Sequence, residues 1–380
     1  MIPFFILLFL SGLVIYGWLI EKYRKAWTRL SEFTAPTAEP HSSIAVVIAA
    51  RNEEEHIPAL LNALSAQQYP TELWEVIIID DQSTDRTYDL LSAYTGPIRL
   101  KLLRLAPDTS RAHKKRALEA GIEQATAKLI VTTDADCIFG PLWLHTIAAF
   151  YEHSGRRCIA APVQYLPAKN PLAVFQTLDF ITLQGITGAS LASGLHLMSN
   201  GANFIFERDV FFEVGGYAGI DSTPSGDDML LMQKIERAFP GSTAYLKSRD
   251  AIVYTHPMPT LRSFLNQRIR WASKTGSYRD KNTFRILLLV YLLNLFFLIL
   301  TLLVLADPFL IFLLLLFLVA KVLIEYPFVA LVAKFFGSAQ LMKWFLPMQP
   351  LHIMYTVLAG FMGRFGSYKW KDRKISKAAA

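Results

Sequence analysis

The amino-acid sequence predicts an α/β fold: a three-layer domain around a mostly parallel sheet, joined to α-helical transmembrane segments. Three observations predict it. Between Ile44 and Thr133, apolar runs of strand length alternate with stretches of helical spacing, as in successive βαβ units. The acidic and amide residues of that region stand at the ends of the strand-like runs, where open α/β sheets bind ligands. The apolar excess, 53% of 380 residues against 18% charged, is concentrated at the N-terminus and after Arg285. This distribution excludes a purely soluble enzyme. Cys137 and Cys158 are the only cysteines, too few for a disulfide framework or a structural zinc site.

Along the chain, Ile2 to Ile20 is apolar apart from Ser11, about the length that crosses a hydrocarbon core of ~30 Å. No Lys or Arg precedes it and no small-x-small cleavage site follows, so it reads as an anchor rather than a removed signal. Lys22, Arg24, Lys25 and Arg29 follow, and the positive-inside rule assigns them, with the central region, to the cytoplasm. Thr34 to Ser43 reads as a linker. Ile44 to Ala50 is a continuous run suited to a parallel strand buried on both faces. Glu54 to Ala66 has helical spacing, Val76 to Ile79 is a second buried strand, and Thr84 to Tyr94 reads as helix. Ile98 to Leu105 (strand), Lys114 to Ala127 (helix) and Leu129 to Thr133 (strand) continue the alternation. In the stretch from Pro167 to Leu195, Val174, Phe175, Leu178, Ile181 and Thr182 share one helical face; it reads either as an interfacial helix or as a core helix.

Two further crossings run from Ile286 to Ala306 and from Phe309 to Ala333, with Asp307-Pro308 as the turn between them. Lys321 and Glu325 lie in the second at i,i+4 spacing, where they read as a snorkelling pair or as a functional one. Leu341 to Gly363 is interrupted by Pro347, Gln349, Pro350 and His352. Read as re-entrant or interfacial, it keeps the basic tail (Arg364, Lys369, Lys371, Arg373, Lys374) inside.

The chemistry gathers in short motifs. Asp134-Ala135-Asp136 puts two carboxylates at a strand end, the donor set of a hard divalent cation that also takes substrate phosphates, or else a solvated acidic turn. Asp80-Asp81-Gln82-Ser83-Thr84-Asp85 follows a strand; its carboxylates suit a ribose or base, and Ser83 or Asp85 suits a helix cap. His113-Lys114-Lys115-Arg116 can reach phosphates. Ser225-Gly226-Asp227-Asp228 precedes an apolar helical stretch, where one aspartate can cap and the other can act as general base. Gln267-Arg268-Ile269-Arg270-Trp271 precedes the crossing from Ile286 to Ala306, offering a guanidinium fork and a flat stacking face. No G-x-G-x-x-G follows the first strand, which removes the dinucleotide oxidoreductases.

From Ile44 to Trp271 the order of these motifs resembles the membrane-bound family 2 glycosyltransferases of GT-A fold, relatives of ceramide glucosyltransferase and the cellulose, hyaluronan and chitin synthases. The resemblance implies that Ala50, Arg51, Glu53, Asp80, Asp81, Lys114 and Asp134 bind the nucleotide sugar. It implies that Asp136 and Asp134 bind Mg²⁺ or Mn²⁺. Asn200-Gly201-Ala202-Asn203 and Val214-Gly215-Gly216-Tyr217 resemble the stretch lining the acceptor and donor sugar. Asp227-Asp228 matches the acidic pair that holds the catalytic base, Asp228 by the alignment of Lys234-Ile235 and Asp227 if the offset is one. Gln267, Arg270 and Trp271 match Q-x-x-R-W, which with Asn203 serves the acceptor and diphosphate. His113 and Glu119 depart from the family's lysine element.

The implied organisation is an N-terminal transmembrane helix (1–21), a basic flank and linker (22–42) and a cytoplasmic GT-A domain (43–256). An interfacial segment (257–285), a membrane block (286–363) and a basic tail (364–380) follow. The implied activity is a metal-dependent, inverting hexosyl transfer from a nucleotide sugar, a UDP-sugar, to a lipid or lipid-linked acceptor at a bacterial inner membrane. The alternatives are a polysaccharide synthase subunit and a non-catalytic membrane scaffold. The net charge of +7 is explained by membrane flanks and phosphate contacts, without a nucleic-acid partner.

Overall fold

In the computed structural model, which describes residues 2–106, 113–167, 169–221, 226–273, 280–365, 368–370 and 373–375, the apolar runs pair side by side. β1 (Ile44–Ala50) lies between β2 (Trp74–Asp80) and β4 (Leu129–Asp134), parallel to both, and β2 is parallel to β3 (Leu100–Arg104). Ile44, Val46, Ile48, Val76 and Ile78 have no exposed surface, which is why these strands read as unbroken apolar runs rather than alternating ones. The register puts Ala50 opposite Asp80 and Ala49 opposite Asp134. The motif residues therefore emerge at one edge of the sheet, at the strands' carboxyl ends.

The returning helices are α2 (Ile57–Ser65), α3 (Thr87–Ser92) and α4 (His113–Gln124). α4 lays Ala117, Leu118 and Ile122 into the core. Both α2 and α3 begin three residues later than the sequence spacing predicts, because the preceding residues make loop hydrogen bonds instead. The sheet continues through β8 (Phe204–Glu207), antiparallel to β4, then β6 (Cys158–Ala160) and β9 (Thr243–Tyr245), in the order β3-β2-β1-β4-β8-β6-β9. A smaller sheet holds β5 (Ile138–Phe139), β10 (Val253–Thr255) and β7 (Val163–Tyr165). α5 (Trp143–Ser154), α7 (Arg208–Glu213) and α8 (Met229–Ala238) complete this unit.

The chain divides into two compact units, one of residues 31–166 and 197–256, the other of residues 1–30, 167–196 and 257–380. The division differs from the expected 43–256 domain in two ways. Residues from Ser31 onward belong with the sheet, tied by the Phe33 N–H to the Lys247 carbonyl (2.7 Å) and by Glu32 to Arg249 (2.8 Å). Residues 167–196 group instead with the apolar helices. Their helix, α6 (Pro171–Ser193), buries Gln176, Asp179 and Gln184 as well as Val174, Phe175, Leu178 and Ile181. It is covered on several sides and so does not present a single apolar face to an interface.

The second unit also contains α1 (Ile2–Arg29), α9 (Leu261–Ala272), α10 (Lys281–Leu303), α11 (Leu310–Phe335) and α12 (Phe345–Phe365), with a short hairpin of β11 (Tyr368–Trp370) and β12 (Arg373–Ile375). Lys371 and residues 376–380 of the basic tail lie outside the described residues. Among the described residues, three helical segments are long and apolar enough to cross a membrane: residues 6–29, α10 and α11. α12, with Pro350 inside it, is not among them. Lys321 and Glu325 form an ion pair of 2.7 Å, with side chains only 2% and 9% exposed. Burial of both ends argues against snorkelling.

His196 in this unit is 5% exposed and sits 2.7 Å from the Tyr23 hydroxyl. Burial lowers its pKa to about 4, against a smaller opposing pull from Asp280. A histidine depressed in the folded state contributes stability that is complete above its unfolded pKa of ~6.5 and is lost as pH falls toward 4. The full effect is roughly 3 kcal/mol. Melting of the detergent-solubilised chain between pH 7 and pH 4 should therefore fall more steeply for wild type than for His196→Gln. Parallel curves would refute a buried neutral histidine.

Candidate active site

Two loops at the sheet edge hold each other. The Asn52 N–H donates to Ser83 Oγ (3.0 Å), the Thr84 N–H to Asn52 Oδ1 (2.9 Å) and the Glu53 N–H to Thr87 Oγ1 (2.7 Å). The Glu54 N–H donates to Asp85 (3.1 Å) and the Arg86 N–H to Glu54 (3.0 Å). Arg51 spans the pair, its guanidinium donating to the carbonyls of Asp81 and Gln82. Asn52 (φ 51°) and Gln82 (φ 59°) are both left-handed, an uncommon conformation for non-glycine residues that needs a well-determined surrounding. The reciprocal bonds supply it. Ala50, 1% exposed, enters through its backbone: its carbonyl accepts from the Asp81 N–H (2.8 Å).

Asp80 is fully buried, accepting from the Ser83 N–H (3.2 Å) with Arg104 3.5 Å away; Asp81 is 3% exposed and faces His113 at 3.7 Å. Glu53 takes the His56 ring at 2.8 Å. His56 in turn lies 5.0 Å, ring to ring, from His256, so both histidines sit beside the loop without forming a ligand set.

The acidic cluster is organised by one lysine. Lys114 Nζ is 2.6 Å from Asp134 Oδ1 and 3.4 Å from Asp227 Oδ2. Burial pulls its pKa down, but the charges of Asp134, Asp227 and Asp228 outweigh burial and hold it above the ordinary lysine value. Asp228, 9% exposed, is the N-cap of α8: one oxygen accepts from the Met229 N–H (2.6 Å), the other from the Gly201 N–H (2.8 Å). Burial pushes the nearby Tyr217 phenol up, and the charges of Asp227 and Asp228 add to it. Asp136 Oδ2 accepts from Thr255 Oγ1 (3.1 Å), and its Oδ1 lies 3.7 Å from the Cys137 thiol. Cys137, 1% exposed, is a small buried side chain as the sequence suggests.

Gly201 marks the closest approach. A Cβ there would lie 3.0 Å from Asp227 Oδ2, 3.5 Å from Lys114 Nζ and 3.7 Å from Asp228 Cβ. Gly201→Ala should displace the Asp227 carboxylate by a few tenths of an ångström and lower sugar transfer ~10-fold or more with little change in melting, since small misplacements at a reacting centre are expensive. Wild-type rates in Gly201→Ala would show that the cluster tolerates the shift.

The structure thus brings Asp134, Asp136, Lys114, Asp227 and Asp228 together on one unit with Arg51, Glu53, Asp80 and Asp81. Asn203, which the resemblance assigns to the acceptor side, packs into the interior. It is fully buried, its amide donating to the carbonyls of Pro162 and Ala251 (2.8 Å each) and its Oδ1 accepting from Trp143 Nε1 (3.2 Å). Its side-chain polar atoms tie the start of α5 to the segments that precede β7 and β10. Gln267, Arg270 and Trp271 lie on α9, in the unit of the apolar helices. Ser225 lies outside the described residues. Thr255 joins the cluster without a sequence signal of its own, and Tyr217 joins it from the Val214-Gly215-Gly216-Tyr217 stretch.

A mostly parallel seven-stranded sheet whose strand ends carry D-x-D and a second acidic pair is a GT-A glycosyltransferase fold. Residues 45–215 match the family model described as "Glycosyl transferase family 2". In sequence it is similar to the poly(ribitol-phosphate) beta-N-acetylglucosaminyltransferase TarS of Staphylococcus aureus, 30% identical over 107 residues, covering 28% of this chain and 18% of that protein. It is also similar to the undecaprenyl-phosphate 4-deoxy-4-formamido-L-arabinose transferase of Yersinia pestis, 31% identical over 99 residues, covering 26% of this chain and 30% of that protein. The chain thus spans less than a third of the length of either relative. In structure it resembles the mannosyltransferase PcManGT of Pyrobaculum calidifontis, solved with GDP-Man and Mn²⁺, with a TM-score of 0.59 and 20% identity over 94% of this chain and 96% of that one. At that identity the likeness is one of fold.

Proposed function

We propose that the protein transfers a sugar, with inversion, from a nucleotide sugar to a lipid or lipid-linked acceptor at the cytoplasmic face of a bacterial inner membrane. The observation that carries this reading is the charged Lys114 bridging Asp134 of the D-x-D to Asp227, beside the capped Asp228. In the proposed step Asp228 takes the proton of the acceptor hydroxyl while that oxygen attacks the anomeric carbon and the nucleoside diphosphate departs. Each carboxylate oxygen has a second lone pair beyond the one given to a backbone N–H, so the capped Asp228 is oriented and still able to accept. Arg51, Glu53, Asp80 and Asp81 frame the nucleoside side. Gln267, Arg270 and Trp271 keep the roles that the family resemblance implies.

Among the described residues no group of three or more His, Cys, Asp or Glu side chains converges on one point. Two carboxylates with oxygen donors only fit Mg²⁺ or Mn²⁺ that completes its shell with substrate phosphates, and Asp134 and Asp136 would hold it. When bound, the cation would neutralise charge on the departing diphosphate.

The lipid acceptor is favoured over a growing polysaccharide because, among the described residues, three helices are of membrane length, and one-step transfer to a lipid needs only a site at the membrane surface. Membranes containing the protein, incubated with radiolabelled UDP- and GDP-sugars and extracted with organic solvent, should carry label in the extract. Label confined to insoluble high-molecular-weight material would reject the lipid reading. Absence of transfer from every nucleotide sugar would favour a scaffold.

A further inference from the structure

We propose that a buried ion pair in the helical unit, Asp179–Arg268, is a positioning clamp for the Q-x-x-R-W motif. The proposal rests on the transferase reading above and adds residues beyond the motif's named positions to it. Arg268 lies inside the motif, between Gln267 and Arg270, but is not one of its named positions. Its side chain and that of Asp179 are each 3% exposed, with Nη2 2.7 Å from Asp179 Oδ2. The other carboxylate oxygen accepts from the Tyr355 hydroxyl and lies 3.9 Å from His352 Nε2. The pair thereby joins α6, α9 and α12.

The guanidinium faces the motif. Its Cζ lies 4.3 Å from the centre of the Trp271 ring and 4.7 Å from that of Phe264, and Nη1 donates to Gln267 Oε1 (3.2 Å). Phe180, next to Asp179, lies 6.0 Å from the Trp271 ring at 32°. Arg268 therefore touches two of the motif's three named side chains while its charge is paired with the Asp179 carboxylate. α12 supports the same end of α9: a Cβ on Gly363 would come within 2.7 Å of Ala272 Cβ, immediately after Trp271. Phe175, Phe264, Ile269, Tyr355 and Ala359 form one core cluster around the junction.

Energetics argue for a role beyond stability. A buried ion pair seldom stabilises more than well-packed apolar residues of the same volume, because desolvation offsets the attraction. What it supplies here is orientation. Only a planar guanidinium stacks on an indole and hydrogen-bonds in its own plane; a lysine would keep the charge and lose the stacking. The clamp acts through Trp271 and Gln267 and touches no substrate itself.

The test uses the full chain in detergent. Asp179→Asn and Arg268→Lys should each lower sugar transfer 10- to 100-fold, and Asp179→Asn added to Trp271→Ala should lower it no further than Trp271→Ala alone, since coupled residues are non-additive. Multiplying losses would overturn the clamp. The emission of Trp271, taken as wild type minus Trp271→Phe, should shift to the red in Asp179→Asn, a readout independent of turnover; an unchanged emission would overturn the proposal. Should the single variants fail to fold, Asp179→Leu/Arg268→Met removes both charges at similar volume and should melt near wild type yet keep the loss of transfer. Wild-type transfer in that double variant would overturn the clamp. Full transfer by Trp271→Ala would instead overturn the reading of the motif on which the clamp depends.

Discussion

Asp228→Asn should reduce sugar transfer by on the order of 10²–10⁴, the range removed with a general base, while leaving the melting temperature near wild type. The reasoning turns on the two duties of this side chain. As N-cap of α8 it accepts from the Met229 N–H, and across the cluster it accepts from the Gly201 N–H. Asparagine is as good an N-cap as aspartate and keeps one acceptor oxygen, so one of these bonds survives and the helix start is retained. A carboxamide cannot take the proton. Asp227→Asn offers the contrast. Asp227 lies 3.4 Å from Lys114, so its loss weakens the lysine's hold and should reduce transfer less than loss of the base. If Asp227→Asn were the more damaging of the two, the register of the acidic pair would be offset by one and Asp227 would be the base. Radiochemical transfer assays on matched amounts of folded protein decide between them.

β1, β2 and β4 were legible in the sequence because strands buried on both faces carry continuous apolar, β-branched runs (Ile44–Ala50, residues 76–79 and residues 129–131), and their ends are marked by Ala50, Asp80 and Asp134. β6, β7, β9 and β10 have three residues each, too few for any period, and exist through their pairing partners. The D-x-D and the Asp227-Asp228 pair were legible because their chemistry lies in adjacent residues. The setting of Asn203 was not legible for the opposite reason: its partners, Pro162, Ala251 and Trp143, are distant in sequence, and nothing local marks an amide that will be bonded to buried loops. α6 shows the same limit. Gln176 exchanges two hydrogen bonds of 2.9 Å with the backbone of Met258, and Asp179 pairs with Arg268. Both partners lie more than eighty residues downstream, so a helix that reads as half polar is buried on its polar side as well.

Lys321→Met alone should destabilise the chain strongly, by about 3–5 kcal/mol, whereas Lys321→Met/Glu325→Leu should recover most of that loss. Lys321 Nζ donates to Gln349 Oε1 (2.7 Å) as well as pairing with Glu325, Gln349 Nε2 donates to Glu325 Oε2 (3.0 Å), and the Tyr16 hydroxyl donates to Glu325 Oε1. The closed network links α1, α11 and α12 inside one unit, with each charged group satisfied by protein rather than by water. Removing the lysine leaves a carboxylate buried with only neutral donors, so it must either protonate or draw water into an apolar bundle, and both are costly. Removing both charges leaves packing, which methionine and leucine supply. The size of the difference between single and double variants therefore measures burial directly. For a pair that snorkelled to an interface, either head would remain hydrated once its partner was gone, and the single variant would cost no more than the ~1 kcal/mol typical of an exposed ion pair. Thermal melts of wild type, Lys321→Met, Glu325→Leu and the double variant in one detergent separate the two cases. Equal, small losses would mean that the network is solvated. A deep loss in each single variant with recovery in the double would identify these charges as the device that sets the register of three helices, since a ring of donors and acceptors closes at one alignment and an apolar seam can slide.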